Sequence, residues 1–143
     1  MLKSVEKFNQ PVLFDGMKYN TNGTVLTPIS DLDAITDCCG HAWIIFESKL
    51  AGSPITRGQK ILLENIINDL SKADKPAAAF LCYHSIKDPG KPIYLKDSIV
   101  AAVYSVGKGW QIAGRDYKTK FTVKELTDIF LSKYAPDMLR LFN

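Results

Sequence analysis

The alternation of hydrophobic and polar positions predicts strands and helices that follow one another in the middle of the chain. Residues 29–35 alternate between apolar and polar side chains and predict a half-buried strand. Residues 41–49 are apolar up to Phe46 and polar afterwards, which predicts a buried strand with a polar end. Apolar residues return at helical spacing over 57–73, where we expect a helix, and residues 76–84 predict a second buried strand.

Turn-forming residues and a capping motif delimit the other predicted elements. The segment Asp37-Cys-Cys-Gly40 predicts a tight turn that joins the first two strands as a hairpin. The order strand, helix, strand over 41–84 predicts a parallel pair with a right-handed crossover. These elements make an α/β fold with a mixed sheet. The remaining predictions are a short helix over 3–9, turns over 14–23 before an edge strand, strands over 92–105 and 109–113, a helix from the capping box Thr122-x-x-Glu125 to Tyr134, and a short helix over 137–142.

The composition is that of a globular protein with a single core. Its 143 residues match the usual length of one domain, and 46% of them are hydrophobic against 23% charged, so we expect one domain over residues 1–143. No apolar run approaches the roughly 18–20 residues of a membrane span, and residues 1–7 lack the apolar stretch of a signal peptide. Three cysteines, two of them adjacent, make a poor disulfide framework, so we expect a cytoplasmic protein without a membrane partner.

The net charge of +3 is unevenly distributed along the chain. Residues 1–56 carry four Lys or Arg against six Asp or Glu, a net charge of −2, whereas residues 57–143 carry fourteen against nine, a net charge of +5. Such a division suits a protein in which one region gathers carboxylates for a metal and another meets phosphates, although small counts also divide this way by chance.

Polar residues at the end of the 41–49 strand form the candidate site. Glu47 and Lys49 are two residues apart and therefore share one face of the strand. If the hairpin turns near residue 40, Asp33 lies directly opposite Glu47, with the two Cβ atoms about 4.5–5.5 Å apart. Two carboxylates at that distance repel each other unless a cation lies between them. The alternative is a surface hairpin whose acidic and basic side chains simply face water.

The two carboxylates offer hard oxygen ligands that suit Mg²⁺. A lysine beside such a metal can stabilise an attacking hydroxide or a developing phosphate charge, so the pattern favours metal-assisted hydrolysis of a phosphodiester. Gln59 adds to this pattern because it lies on the sheet-facing side of the predicted helix, near the carboxylates, where an amide needs a buried partner.

Asp33, the Glu47-x-Lys49 pair after thirteen intervening residues, and Gln59 at the start of the next helix resemble the motif of the PD-(D/E)XK nuclease superfamily. The likeness extends over roughly residues 14–85, and its segments are similar to those of small phage-encoded nucleases. It implies a restriction-endonuclease-like core, with a mixed central sheet flanked by helices. The segments that carry it are Gly16-Met-Lys-Tyr, Thr27-Pro-Ile-Ser-Asp-Leu-Asp-Ala-Ile, Ile45-Phe-Glu-Ser-Lys and Arg57-Gly-Gln.

The resemblance also implies catalytic roles for these residues. Asp33 and Glu47 would hold the divalent metal, Mg²⁺ or Mn²⁺, with the backbone carbonyl of Ser48. Lys49 would position the nucleophilic water, and Gln59 would support water or phosphate.

Two more carboxylates are candidate metal ligands by the same resemblance. Asp31 lies on the same face of the predicted strand as Asp33, and Glu6 matches the N-terminal helical glutamate of many members. We prefer Asp33 to Asp31 because Asp33 faces Glu47 in the predicted register.

Basic residues are the candidate DNA contacts. Arg57 and Lys60 lie at the start of the long helix, close to the carboxylates, and suit contacts with the phosphate backbone. Residues 108–124 interleave basic and aromatic side chains, and here Lys118 and Lys120 are candidates for phosphate contacts. An equally open interpretation makes the aromatic residues core and the lysines a solvated face. The residues concerned are Lys108, Arg115, Lys118, Lys120 and Lys124 with Trp110, Tyr117 and Phe121.

Cysteines and histidines form two clusters, Cys38-Cys39-x-His41 and Cys82-x-His84, which together offer five zinc ligands. A structural zinc site is therefore an alternative. The predicted topology opposes it, because the first cluster lies at the hairpin tip and the second at the other end of the sheet. Cys82 is then a core residue. His84 is either a contact to phosphate or to a metal-bound water, or a satisfied histidine at the end of the sheet.

Together these patterns predict a metal-dependent DNA nuclease, and the phage-like likeness implies a role in replication, recombination or DNA processing in the cytoplasm of a host cell. A chain of this length has little room for specificity insertions, so we expect structure-selective or weakly sequence-specific cleavage. Cleavage of both strands would favour a homodimer. The alternative is a non-catalytic module that binds nucleic acid or protein and retains the nuclease fold. The complete set of Asp33, Glu47, Lys49 and Gln59 argues against it.

Overall fold

A computed structural model describes residues 19–21, 24–26, 32–113 and 120–142 of the chain. The chain divides into two compact units, residues 1–31 and residues 32–143. In the first unit, β1 (Tyr19–Thr21) and β2 (Thr24–Leu26) pair antiparallel, so a strand begins inside the stretch predicted as turns. The predicted helix over 3–9 lies outside the described residues, and one domain over 1–143 stays a prediction.

The second unit is an α/β structure built on a five-stranded mixed sheet, in the order β3-β4-β5-β6-β7. β4 and β5 run parallel, and each other neighbouring pair runs antiparallel. Helix α1 (Arg57–Lys72) connects the parallel pair, which confirms the predicted order of strand, helix and strand. The strands are β3 (Ala34–Asp37), β4 (Trp43–Leu50), β5 (Ala77–His84), β6 (Ile99–Ser105) and β7 (Gly109–Ile112).

Alternate residues of β4 face two different cores, because successive side chains of a strand point to opposite faces of its sheet. Ile44 and Phe46 belong to a buried cluster that includes Val123, the first residue of the helix that follows the sheet. Ile45 belongs to a second cluster with Leu63 of α1. Since both faces are covered, β4 shows a continuous apolar run rather than strict alternation. Glu47 and Lys49 continue the Ile45 face, the one covered by α1.

Two predicted strands differ from the structure in their bounds. β3 covers Ala34–Asp37, and the first residues of the predicted 29–35 strand lie outside the described part. β6 begins at Ile99 instead of residue 92, because Ile99 pairs with Tyr83 near the end of β5 and no strand of the described residues lies beside the residues before it. Those residues form an exposed segment followed by a short 3₁₀ helix over Leu95–Asp97.

Helices α2 (Val123–Tyr134) and α3 (Pro136–Phe142) follow the sheet. The Thr122 hydroxyl accepts a hydrogen bond from the Glu125 N–H at 3.2 Å, so the helix begins at the predicted cap. Among the described residues, no helix is long and apolar enough to cross a membrane.

Candidate active site

Asp33 directly precedes β3 and lies opposite Glu47 of β4. The two strands pair Ala34 with Phe46 and Ile35 with Ile45, so the next position of the register joins Asp33 to Glu47. Asp33 Oδ2 accepts a hydrogen bond from the Ser48 N–H at 2.7 Å, which ties this exposed carboxylate to β4. The observed register is therefore the predicted one.

Glu47 is a buried carboxylate with two charge-stabilising neighbours. The residue is 3% exposed. Its Oε1 lies 3.0 Å from Lys49 Nζ and accepts a hydrogen bond of 3.0 Å from Gln59 Nε2. Burying a carboxylate is costly unless it is paired and hydrogen-bonded, and these contacts meet that requirement. The alternative in which the acidic side chains simply face water is therefore wrong for Glu47.

Gln59 is held by the first turn of α1. Its Oε1 accepts hydrogen bonds from the Thr56 N–H at 3.2 Å and from the Thr56 hydroxyl at 3.1 Å, while the Thr56 hydroxyl accepts one from the Gln59 N–H. Thr56 and Gln59 thus form a capping box. Sequence reasoning missed the role of Thr56, although the spacing Thr56-x-x-Gln59 is visible in the chain. The cap orients the Gln59 amide so that its nitrogen faces Glu47.

The donor set at this position is made of hard oxygen atoms. Asp33 and Glu47 supply carboxylates, and the Ser48 carbonyl stays a predicted ligand. Asp31 and Glu6 lie outside the described residues. Within the part of the chain that the structure describes, no group of three or more His, Cys, Asp or Glu side chains comes together. Mg²⁺ needs no such group, since it keeps several waters and takes one or two protein carboxylates.

Cys82 is a buried neighbour of the site rather than a ligand. Burial, and after it the charges of Asp33 and Glu47, raise the pKa of its thiol from 9.0 to about 12. A thiol is a metal ligand as the thiolate, which such a pKa disfavours. Cys82 belongs to the core cluster with Phe80, as its core interpretation predicts.

The two clusters of cysteine and histidine lie at opposite ends of the sheet, as the topology predicts. Cys38 is buried before β4 begins, against Ala42 and Ala135, whereas Cys82 and His84 lie at the end of β5. Burial also raises the pKa of the Cys38 thiol, with the nearby Asp37 charge as the second cause. The five residues therefore do not form one zinc site.

His84 ends β5 at the same end of the sheet as Glu47 but on the opposite face. It pairs with Leu50 in the β4–β5 register, three positions beyond Glu47. Its Nδ1 accepts a hydrogen bond from the Ile86 N–H at 3.2 Å, so in the neutral ring the proton is on Nε2. The half-buried imidazole lines a cavity at this end of the sheet.

The basic candidates are distributed over different surfaces. Arg57 and Lys60 are exposed on the first turn of α1, beside Gln59. Lys120 is exposed and lines the cavity next to His84, whereas Lys118 lies outside the described residues.

Trp110 is a packing residue of the sheet. Its Nε1 donates to Glu64 Oε1 at 2.7 Å, its ring centroid lies 5.4 Å from that of Tyr104, and Lys60 Nζ lies 5.8 Å from it. For Trp110, the interpretation of the aromatic residues as core is therefore correct. Tyr117 lies outside the described residues.

Comparison with known proteins adds no relative to these observations. No family model, no curated protein and no solved structure matches the chain.

Proposed function

We propose that the chain is a metal-dependent DNA nuclease of the PD-(D/E)XK type, with a restriction-endonuclease-like core. One observation carries the proposal. At the end of β4, the Glu47 carboxylate and the Lys49 ammonium share one face, 3.0 Å apart, and Asp33 stands across the strand pair from Glu47. If the contact between Glu47 and Lys49 were only a structural salt bridge, the position of the Asp33 carboxylate opposite Glu47 would have no role.

Each residue has a role that follows from its contacts. Asp33 and Glu47 bind the cation from two neighbouring strands. Lys49 keeps 20% of its side chain exposed, so its ammonium can reach an anionic phosphate while it still contacts Glu47. Gln59 orients the Glu47 carboxylate and is a positioning residue.

The residues present fit Mg²⁺ or Mn²⁺. The two carboxylates are hard ligands, and the Cys82 thiol belongs to the core cluster on the opposite face of the sheet. The N–H and C=O of one strand residue face the same neighbouring strand. The Ser48 N–H donates to Asp33, so we expect the Ser48 carbonyl to face that side as well. A bound cation supplies Lewis-acid activation of water and phosphodiester.

The decisive experiment compares single-residue variants in a DNA cleavage assay with and without Mg²⁺ or Mn²⁺. The substrates are linear, circular, single-stranded and four-way-junction DNA. We expect metal-dependent cleavage by the wild type and its loss in Glu47→Gln and Lys49→Ala. Glu64→Gln is the matched control, since Glu64 is also a hydrogen-bonded carboxylate on the α1 side of the sheet. Cleavage that needs no metal, or that survives both substitutions, overturns the proposal.

A second candidate function is a non-catalytic module that binds nucleic acid or protein. The observation that favours it is the contact of Glu47 with both Lys49 and Gln59, which satisfies the buried carboxylate without a metal. This candidate predicts DNA binding that is unaffected by Glu47→Gln, and no cleavage under any metal condition.

A further inference from the structure

A cavity that the described residues line lies at the end of β5, next to the candidate active site. Its volume is about 580 Å³, which falls within the roughly 300–1,000 Å³ of small-ligand sites. Tyr83 and His84 of β5 form one wall, and residues of the segment before β6 form another, among them the exposed Ile93 and Tyr94 and the buried Ser98. Its rim is close to Lys49, because Lys49 pairs with Tyr83 and the Ala51 N–H donates to the His84 carbonyl at 2.7 Å.

Ser98 gives this cavity an unsatisfied polar group. The residue is 3% exposed and lines the cavity, and its hydroxyl has no hydrogen-bond partner among the described residues. Both backbone groups of Ser98 already have hydrogen-bond partners, since its N–H donates to the Leu95 carbonyl and its own carbonyl accepts from the Val123 N–H. A buried hydroxyl without a partner costs free energy, so a ligand that bonds to it would recover that cost.

Apolar and aromatic side chains around the cavity are left uncovered. Tyr94 is 63% exposed and Ile93 is 48% exposed, and both line the cavity. Tyr83 contributes a second aromatic ring, and Pro92 adds apolar surface. Such rings suit the flat face of a nucleobase, because base stacking on aromatic side chains needs no particular sequence.

Charged groups at the cavity suit the rest of a nucleotide. The exposed Lys120 offers an ammonium for a phosphate, and the His84 ring, whose Nδ1 is an acceptor, offers its Nε2–H as a donor. Asp97 offers a carboxylate that can accept from the ring N3–H of thymine or from the amino group of another base. Aromatic faces, a cation, a donor and an acceptor thus surround one open cavity.

We propose that this cavity holds one unpaired nucleotide of a DNA strand whose neighbouring phosphate reaches Asp33 and Glu47. The inference rests on the proposed nuclease function and makes single-stranded or frayed DNA its substrate class. The cavity has room for one nucleotide, and a base reaches its aromatic side chains only when it is unpaired. The base lies against Tyr94, within reach of the Ser98 hydroxyl, and Lys120 contacts a phosphate.

The test measures binding of a fluorescent dodecathymidylate in EDTA, so that no cleavage interferes. We expect tighter binding of this single strand than of a hairpin duplex of equal length. Tyr94→Ala should weaken binding by about tenfold or more, in line with the loss of one stacked base. Tyr134→Ala is the matched control, since Tyr134 is exposed near Ala135, at the opposite end of the sheet. Equal binding by the wild type and Tyr94→Ala overturns the proposal.

Two further variants separate binding from folding. Ser98→Ala should leave the thermal midpoint unchanged or raise it, because it removes an unpartnered hydroxyl, and should still weaken binding. Lys120→Ala should flatten the salt dependence of binding by about one unit of slope, and Lys75→Ala, an exposed lysine after α1, should not. A Ser98→Ala protein that unfolds earlier and binds normally contradicts the proposal.

Two more measurements distinguish the sources of the nucleotide and the two proposals. If thymidine monophosphate displaces the strand, and if its own affinity falls in Tyr94→Ala, free nucleotide is also a ligand of this cavity. If thymidine monophosphate does not displace the strand while the variants still weaken strand binding, the ligand is the DNA strand.

If the cavity variants weaken binding and no DNA is cleaved with Mg²⁺, the nuclease proposal fails alone. If Mg²⁺-dependent cleavage of single strands is unchanged in Tyr94→Ala, the cavity proposal fails alone.

Discussion

Gln59 links the first turn of α1 to the buried carboxylate of Glu47. Its Nε2 donates to Glu47 Oε1 at 3.0 Å, and its Oε1 accepts from the Thr56 N–H at 3.2 Å. Because a backbone N–H can only donate, the amide oxygen must face Thr56 and the nitrogen must face Glu47. The helix start therefore fixes the direction from which the carboxylate receives its hydrogen bond.

Replacing Gln59 by glutamate should test this link. Gln59→Glu keeps a residue that suits the capping box, but it exchanges the donor to Glu47 for a second negative charge. We expect the free energy of unfolding in EDTA to fall by about 1–3 kcal/mol. Mg²⁺ should restore part of that loss if a cation binds beside Glu47. Chemical denaturation with and without Mg²⁺ measures both effects.

The control for this substitution is Gln111→Glu, which adds the same charge at an exposed position of β7. It should change neither the free energy of unfolding nor its response to Mg²⁺ appreciably. A Gln59→Glu protein as stable as the wild type in EDTA would show that the amide contact does not position Glu47.

The opposition of Asp33 and Glu47 could be predicted from the sequence because two local rules fix it. The tight turn at Asp37–Gly40 sets the centre of the hairpin, and the two-residue period of a strand sets which side chains share a face. Because β4 is apolar on both faces, its own hydrophobic pattern does not fix the register. The position of the turn fixes it, and with it the site.

The cavity could not be predicted in the same way. The apolar residues Ile93 and Tyr94 have the composition of a strand, and only the end of β5 leaves them without a strand to pair with. The unsatisfied hydroxyl of Ser98 is likewise a consequence of tertiary packing. Sequence patterns report which groups are apolar or polar and say nothing about which partners they lack.

Asp33→Asn should separate the structural role of Asp33 from its charge. The amide oxygen can still accept from the Ser48 N–H, so we expect the free energy of unfolding to change by less than about 1 kcal/mol. Loss of the negative charge should lower Mg²⁺-dependent cleavage by roughly 100-fold. Denaturation curves and cleavage rates at several Mg²⁺ concentrations measure the two effects.

Asp37→Asn is the matched control, because Asp37 also accepts from a backbone N–H, that of Gly40 at 2.6 Å, but lies at the other end of β3. It should keep full cleavage. Equal cleavage by Asp33→Asn and the wild type would remove Asp33 from the proposed metal ligands.

The three cysteines should differ in reactivity toward a thiol reagent. Cys39 is exposed, and its Sγ lies 3.6 Å from Met138 Sδ, whereas Cys38 and Cys82 are buried. In the native protein near pH 8 we expect one thiol to react quickly, and three in denaturant. With a pKa of about 12, only about one Cys82 thiol in 10⁴ is ionised at pH 8. Rapid reaction of Cys82 in the folded protein would contradict the burial.

The same thiol should make stability depend on alkaline pH. Burial raises the pKa of Cys82 from 9.0 to about 12, so the unfolded chain loses the proton first as pH rises. The stabilisation is present below about pH 9 and is lost between pH 9 and 12, at up to roughly 1.4 kcal/mol for each pH unit. Cys82→Ala should flatten this decline in denaturation measurements, and Cys39→Ala should leave it unchanged.

Trp110 should prove to be a structural residue rather than a stacking surface for DNA. Its indole N–H donates to the Glu64 carboxylate at 2.7 Å, and its ring packs against Tyr104. Trp110→Phe keeps an aromatic ring and leaves that carboxylate without its donor, so we expect a loss of about 1.5–3 kcal/mol in the free energy of unfolding. Glu64→Gln retains an acceptor and should cost less. The affinity for dodecathymidylate should be the same in all three proteins, and a Trp110→Phe protein that is stable but binds more weakly would show that the indole contacts DNA.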